Sequence, residues 1–311
     1  MLKILVCDGM EKGALNKLVQ EGFEVEDKHY EEKELKEKIK DYDIAVVRSA
    51  TKIRKEVIDE GIKGRLKLVI RGGVGVDNID VQYAKNKGVQ VRNTPNASSI
   101  SVAELTLAHM FAITRYIPNA NMTIRQGKWE KKQYKGVELY GKTLGLIGFG
   151  RIAREVAKRA EVLGMKIIYT DKLGKAVGFD KYKFVTFGNL LADSDFISVH
   201  IPFNKKDKPV IDYKEFSLMK DGVYVINCAR GGVINEKALV EALQNGKVAG
   251  AGIDVFEDEP TPNPELVNNP RVSVTPHIGA STKEAQRRIG EEIVDIIQEF
   301  AELNNKPAVN A

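Results

Sequence analysis

The chain has 311 residues, 43% of them hydrophobic and 29% charged, which allows two hydrophobic cores and excludes a disordered protein. Its net charge of +5 is spread among alternating acidic and basic residues, as between Glu31 and Lys40, so a nucleic-acid partner is not expected. Only two cysteines occur, Cys7 and Cys228, and no apolar run reaches the ~20 residues that span a bilayer. These features predict a soluble, cytoplasmic protein without disulfides, membrane contact or metal, and the slight positive charge favours an anionic substrate.

The first third of the chain alternates short apolar runs with amphipathic helical stretches. Strands are predicted at residues 3–7, 24–26, 44–47, 67–70 and 89–91. Continuous apolar strands between helices indicate a parallel sheet that is covered on both faces. Ser101 and Glu104 have the spacing of a capping box and predict that a long helix begins there and runs to Tyr116.

A second alternating series follows a polar, basic connection that contains Trp129. Strands are predicted at residues 143–147, 166–170, 195–200, 223–227, 250–255 and 272–275. Six strands with intervening helices suit a doubly wound nucleotide-binding sheet. Ser281 and Glu284 form another possible capping box, which opens a last amphipathic helix, and the pattern leaves open which domain receives that helix.

A glycine motif of the form GxGxxA occupies residues 148–153, directly after a predicted strand and before a predicted helix. Gly148 would allow a tight turn, Gly150 would let the backbone approach a pyrophosphate, and Ala153 would let the helix lie against the strand. Asp171 ends the next strand, where a carboxylate can bind ribose hydroxyls and repel a 2′-phosphate. The motif therefore predicts NAD rather than NADP, although Asp171 could also be a turn residue.

Three polar residues follow the ends of predicted strands: Arg230, Glu259 and His277. Oxidation of a 2-hydroxy acid needs a base for the hydroxyl proton and a cation for the carboxylate or carbonyl. An imidazole oriented by a carboxylate supplies the first and a guanidinium the second. The other histidines are interpreted as structural, or as lining the nucleotide in the case of the one near Pro202: His29, His109 and His200.

Four blocks carry a resemblance to a known family: GFGRIA at 148–153, NCARGG at 227–232, DVFEDEP at 254–260 and TPHIG at 275–279. With these blocks the sequence resembles the D-isomer-specific 2-hydroxyacid dehydrogenases over essentially its whole length. Within that family it most resembles the short phosphoglycerate dehydrogenases, which lack a C-terminal regulatory domain. The resemblance implies NAD-dependent oxidation of D-3-phosphoglycerate to 3-phosphohydroxypyruvate, the first step of serine biosynthesis.

The resemblance also implies an architecture. The expected protein is α/β with two doubly wound parallel-sheet domains, in which a Rossmann NAD-binding domain at residues 98–282 would be inserted into a flavodoxin-like substrate domain. The substrate domain is discontinuous and comprises residues 1–97 and 283–311. A homodimer is expected to form through the NAD-binding domain, with the helix at residues 103–116 and the Trp129 arm reaching the partner.

Residue roles follow from the same resemblance. Arg230 would hold the substrate, and Glu259 would pair with His277, the acid/base. The expected NAD contacts are Gly148, Gly150, Arg151, Ile152, Asp171, His200, Pro202, Cys228, Ala229, Asp254, Gly279 and Ala280. The expected substrate contacts are Arg48, Ser49, Val74, Gly75 and Lys131: amides near Val74 and Gly75 for the carboxylate, Arg48 for the phosphate, and Lys131 from the neighbouring subunit.

Two alternatives remain open. A glyoxylate or hydroxypyruvate reductase would use the same three catalytic residues without needing Arg48. An NAD-sensing, corepressor-like interaction protein could keep those residues as well. Formate dehydrogenase chemistry is disfavoured, because that branch of the family has Gln in place of Glu259.

Overall fold

In a computed structural model, residues 1–204 and 206–305 are described. The chain forms two compact units. The split unit comprises Met1–Ser98 together with the segment from Ala280 onward, and the central unit comprises Ser99–Gly279. No helix in the described part of the chain has both the length and the apolar character needed to cross a membrane.

The strands are named in chain order. They are β1 (Lys3–Val6), β2 (Glu24–Asp27), β3 (Ile44–Val47), β4 (Leu68–Arg71), β5 (Gln90–Asn93), β6 (Thr143–Ile147), β7 (Lys166–Thr170), β8 (Lys183–Phe184), β9 (Phe196–Val199), β10 (Val223–Asn227), β11 (Val248–Ile253) and β12 (Val272–Val274).

The α-helices are named in the same way. They are α1 (Lys12–Gln20), α2 (Glu32–Lys38), α3 (Lys55–Ile62), α4 (Val81–Asn86), α5 (Ser99–Thr114), α6 (Ile117–Arg125), α7 (Arg151–Val162), α8 (Phe187–Asp193), α9 (Tyr213–Leu218), α10 (Glu236–Gln244), α11 (Pro264–Val267) and α12 (Lys283–Asn305).

The split unit is built on a parallel sheet with the strand order β2-β1-β3-β4-β5. This is the flavodoxin-like order of a doubly wound sheet. Side chains on one face of the sheet pack against α2 and α3, and those on the other face pack against α1 and α12. Ile293 and Ile297 of α12 are buried with Ile4 and Ile44 of the strands. The last helix therefore belongs to the first sheet, a point that the sequence pattern left open.

The central unit contains a parallel sheet with the order β12-β11-β10-β9-β6-β7-β8. The strand order reverses between β6 and β9, which is the switch point at which dinucleotides bind in Rossmann sheets. All six strands predicted for this unit are present. β8 was not predicted, because its two residues are too few to show a periodicity.

Both predicted helix starts need correction. α5 begins at Ser99, so Ser101 lies in its first turn, where its buried hydroxyl donates to the Gly279 carbonyl at 2.7 Å instead of capping the helix. α5 also ends at Thr114, and Tyr116 is left-handed with φ 53° before α6 begins. In α12 the capping oxygen is that of Thr282, which accepts from the Ala285 amide at 3.1 Å. The motif spacing located each helix to within two residues but misassigned the cap.

Candidate active site

Loops after three adjacent strands of the central unit carry the predicted catalytic residues. Arg230 follows β10, Glu259 follows β11 and His277 follows β12, and β11 is hydrogen-bonded to both neighbours. Parallel strands end at the same edge of a sheet, so the three loops share that edge. His277 Nδ1 lies 2.8 Å from Glu259 Oε2, with the side chains 39% and 37% exposed. The structure therefore brings the predicted acid/base and its carboxylate together.

Asp254 holds the loop that carries His277 by hydrogen bonds. The His277 amide donates to the Asp254 carbonyl oxygen at 2.8 Å. The Asp254 carboxylate accepts from the amides of Ile278 at 2.8 Å and Gly279 at 2.9 Å, and from the Thr275 hydroxyl at 2.6 Å. His277 itself is left-handed, with φ 54°, a conformation that costs a non-glycine residue about 1 kcal/mol or more unless its surroundings hold it. These four hydrogen bonds supply that restraint.

A buried histidine lies behind this loop. His109 of α5 places Nδ1 3.0 Å from the Ser273 hydroxyl and Nε2 3.0 Å from the Thr275 hydroxyl. Burial lowers the pKa of His109, an effect that the nearby Asp254 charge partly opposes, so the ring is neutral near pH 7. No sequence pattern indicated this link, because the partners of His109 lie far away along the chain.

The Arg230 loop is shaped by its neighbours. Asn227 accepts from the Ala229 amide at 3.0 Å and donates to the Arg230 carbonyl at 2.9 Å, which closes the turn after β10. A Cβ at Gly231 would collide with the Phe256 carbonyl, so only glycine allows this loop to lie against the one that carries Glu259. Arg230 Nη1 donates to the Ala229 carbonyl at 2.6 Å.

The glycine motif forms the turn between β6 and α7. Gly148 has φ 84°, and a Cβ there would lie 2.6 Å from the His200 carbonyl, so the turn requires glycine. A Cβ at Gly150 would meet no protein atom within 4 Å, so the space beside this residue is open to a ligand. Gly150 is the N-cap of α7, and Ala153 is fully buried. An open glycine at a helix N-terminus suits a pyrophosphate.

Asp171 connects the end of β7 to that turn. Its Oδ2 accepts from the Phe149 amide at 2.7 Å and its Oδ1 accepts from the Leu173 amide at 2.9 Å. Phe149 in turn stacks on Tyr169, with ring centroids 3.9 Å apart. Asp171 thus has the hydrogen bonds of a turn residue and stands beside the glycine turn.

The other predicted cofactor contacts differ in their surroundings. His200 hydrogen-bonds to the Ser198 hydroxyl at 2.9 Å, and burial lowers the pKa of His200 to about 3, so it stays neutral. Burial, together with the Asp254 charge, raises the pKa of the Cys228 thiol to about 12. Gly279 is buried, Ile152, Ala229 and Ala280 are half-buried, and Arg151 and Pro202 are exposed. Ala280 belongs to the split unit and the rest to the central unit.

In the split unit, the loop after β3 is fixed by two residues that sequence reasoning missed. Asp8 accepts from the Arg48 amide at 2.7 Å, the Thr51 amide at 3.0 Å and the Thr51 hydroxyl at 2.6 Å. Asn78 donates to the carbonyls of Arg48 and Thr51, both at 2.6 Å. Asp8 lies two residues after the end of β1, and the rule that functional side chains follow strand ends could have found it.

Arg48 lines a cavity of about 640 Å³ in the split unit. The other lining residues are Glu11, Ser281, Thr282, Lys283, Gln286 and Arg287. Three cations and one carboxylate give this cavity a positive balance. Val74 and Gly75 lie in the loop after β4, where the Asn93 side chain donates to the Val74 carbonyl at 2.6 Å. Lys131 is exposed on a 3₁₀ turn of the central unit, apart from the other four predicted substrate residues in the chain.

The chain is similar in sequence and fold to known proteins. Residues 107–279 match the domain family described as D-isomer specific 2-hydroxyacid dehydrogenase, NAD binding domain. A hydroxypyruvate reductase of Thermotoga maritima is 48% identical over 97% of this chain and 98% of its own length. A D-3-phosphoglycerate dehydrogenase of Methanocaldococcus jannaschii is 46% identical over 96% of this chain, which spans only 57% of that protein. A glyoxylate reductase from Paecilomyes thermophila superposes with a TM-score of 0.88 at 33% identity, covering 96% of this chain and 94% of that one.

The fold and the strand-edge site define an NAD-dependent oxidoreductase of the two-domain α/β type. The chain belongs to the D-isomer specific 2-hydroxyacid dehydrogenase family, as its motifs predicted. Its relatives within that family include both phosphoglycerate dehydrogenases and a hydroxypyruvate reductase.

Proposed function

We propose that this enzyme oxidises D-3-phosphoglycerate to 3-phosphohydroxypyruvate with NAD, the reaction that opens serine biosynthesis. The pair of His277 and Glu259, 2.8 Å apart, supports the dehydrogenase chemistry. The observation that favours a phosphorylated substrate is the cavity beside Arg48, where Lys283 and Arg287 add two further positive charges. A phosphate dianion is attracted to such a group of cations more strongly than an uncharged hydroxymethyl group would be.

In the proposed mechanism, His277 removes the proton from the substrate hydroxyl. Its Nδ1 is engaged by Glu259, so the proton is accepted at Nε2, and the neighbouring carboxylate stabilises the resulting imidazolium. Bound NAD supplies the hydride acceptor. Arg230 binds the substrate carboxylate or the developing carbonyl, with the amides around Val74 and Gly75 as further carboxylate donors. In the reverse direction the protonated His277 acts as the acid.

The first prediction concerns this pair. Replacing His277→Ala should lower kcat by about 10²- to 10⁴-fold, the usual contribution of a general acid/base. Glu259→Gln should also lower kcat, because the imidazolium that forms during oxidation loses the carboxylate that lies 2.8 Å from its Nδ1. Steady-state kinetics with NAD measure both effects. Turnover that survives His277→Ala unchanged would contradict the mechanism and favour an NAD-sensing interaction protein.

The second prediction concerns the substrate. Arg48→Ala should raise KM for D-3-phosphoglycerate about tenfold or more, because a hydrogen bond to a charged group contributes about 1.5–3 kcal/mol. KM for D-glycerate should stay within about twofold, since that acid has no phosphate. Lys52→Ala is the matched control: it removes a nearby exposed cation that does not line the cavity, and it should change neither constant.

A hydroxypyruvate reductase is the second candidate, favoured by the Thermotoga maritima relative that matches this chain over nearly the whole length of both proteins. That activity would show a higher kcat/KM for hydroxypyruvate and D-glycerate than for their phosphorylated counterparts. It would also make Arg48→Ala neutral with every substrate. These outcomes would replace the proposed substrate while leaving the roles of His277 and Glu259 intact.

The third prediction concerns NAD selection. We infer that NAD is bound by the residues around the glycine turn, with Asp171 accepting hydrogen bonds from the ribose. Asp171→Ser should narrow the ratio of kcat/KM with NAD to that with NADP by roughly tenfold or more, because the carboxylate that repels a 2′-phosphate is gone. Asp171 also binds two backbone amides, so thermal unfolding must first show that the variant is folded. An unchanged cofactor ratio in folded protein would contradict the ribose contact.

The fourth prediction concerns assembly. We infer a homodimer formed through the central unit, because α5, α6 and the arm beyond them expose large apolar side chains, among them Met122 and Trp129, the latter 82% exposed. Light scattering should give twice the chain mass of 34.6 kDa. Trp129→Glu combined with Met122→Glu should shift the mass toward the monomer. Val177→Glu, at a site 95% exposed elsewhere in the unit, should not, and a monomeric wild-type protein would refute the inference.

A further inference from the structure

His109 occupies a space that other residues leave for it. The ring is buried in the central unit, with only 2% of the residue exposed. It lies beside β11 at Gly252, where a Cβ would come within 2.5 Å of the His109 Cβ. Ser273 and Thr275 stand two residues apart along β12 and the loop after it, and each hydroxyl lies 3.0 Å from one ring nitrogen. Both nitrogens of the buried His109 ring therefore have a hydrogen-bond partner.

The Asp254 carboxylate determines which group donates and which accepts in each of these hydrogen bonds. The Thr275 hydroxyl lies 2.6 Å from Asp254 Oδ1, and a carboxylate that also accepts two amides can only accept. Thr275 therefore donates its single hydrogen to Asp254, so it must accept from His109 Nε2. The neutral ring then accepts at Nδ1 from Ser273. The hydrogen-bonded chain is ordered from Ser273 through His109 and Thr275 to Asp254.

Asp254 transmits this order to the loop of His277. Its backbone oxygen and its two carboxylate oxygens accept from three consecutive amides, those of His277, Ile278 and Gly279. The backbone of His277 has the strained left-handed conformation, so the orientation of its ring depends on those three hydrogen bonds. Without the bond from His109, the Thr275 hydroxyl is free to rotate, and Asp254 Oδ1 keeps the Ile278 amide but loses an oriented hydroxyl donor.

We propose that His109 is a positioning residue for the reaction, which orients the His277 ring through Thr275 and Asp254 without touching the substrate. This inference rests on the proposed role of His277 as the acid/base. A displaced ring slows proton transfer but leaves the substrate-binding groups in place, so the expected signature is a fall in kcat at nearly constant KM.

The test uses variants that keep one ring function at a time. His109→Leu removes both bonds and should lower kcat about ten- to hundredfold, with KM for the substrate within about twofold. The amide nitrogen of His109→Gln occupies the place of Nε2 and keeps the donor to Thr275, so kcat should recover to within about threefold of wild type. His109→Asn can replace only the acceptor at Nδ1, so its kcat should stay low. A merely structural role for the ring would not separate Gln from Asn in this way.

Variants of the two hydroxyl partners keep the test decisive if His109→Leu does not fold. Thr275→Val breaks the link to Asp254 and should lower kcat as His109→Leu does, whereas Thr275→Ser keeps the hydroxyl and should retain activity. Ser273→Ala removes the far end of the chain and serves as the matched control, with little change in kcat. In a double-mutant cycle, the effects of His109→Asn and Thr275→Val should be clearly less than additive.

The outcomes separate this inference from the proposed function. If His277→Ala abolishes turnover while His109→Asn and Thr275→Val leave kcat unchanged, the positioning role is refuted and the acid/base role stands. If His277→Ala has no effect on turnover, the acid/base role itself fails. Equal losses of kcat in His109→Gln, His109→Asn and His109→Leu, or a rise in KM without a fall in kcat, would also overturn the positioning role.

Discussion

The carboxylate of Asp254, directly after β11, binds the loop after β12 that carries the proposed acid/base His277. It is buried, and its two oxygens accept from the Thr275 hydroxyl and from the amides that follow His277. A buried carboxylate is stable only when its oxygens accept hydrogen bonds. The loop after β12 supplies these donors and is thereby held in place. The same loop directs the His277 ring toward Glu259. Fold stability and the geometry of the proposed acid/base therefore depend on one side chain.

Much of this arrangement could be predicted from periodicity and from strand ends. Fully buried strands such as β3 and β9 leave a continuous apolar run in the sequence, and the residues that follow such strands lie at one sheet edge. The pairing of His277 with Glu259 was expected from family motifs, because neither residue alone indicates its partner 18 positions away. Local pattern and resemblance thus contributed different parts of the prediction.

What the sequence could not predict depends on long-range contacts. His109 resembles any polar residue on a helix, and its two partners lie more than 160 positions away. The packing of α12 on the first sheet was implied by the family resemblance, whereas the apolar face of the helix does not by itself indicate which sheet it covers. Each helix begins two residues from the predicted start, at Ser99 instead of Ser101 and at Lys283 instead of Ser281, because several serines and threonines in each segment could have formed the cap.

The packing of α12 has a consequence for the order of events during translation. The ribosome releases the first five strands long before the helix that covers one side of them, and the whole central unit is made in between. Until α12 has been synthesised, Ile4, Ile44 and their neighbours form an exposed apolar surface. The central unit, in contrast, can already fold, because its whole sequence has been made. The helix α12, which with α1 covers this face of the sheet, is therefore synthesised last. Before that, the exposed apolar face of the nascent chain is open to aggregation.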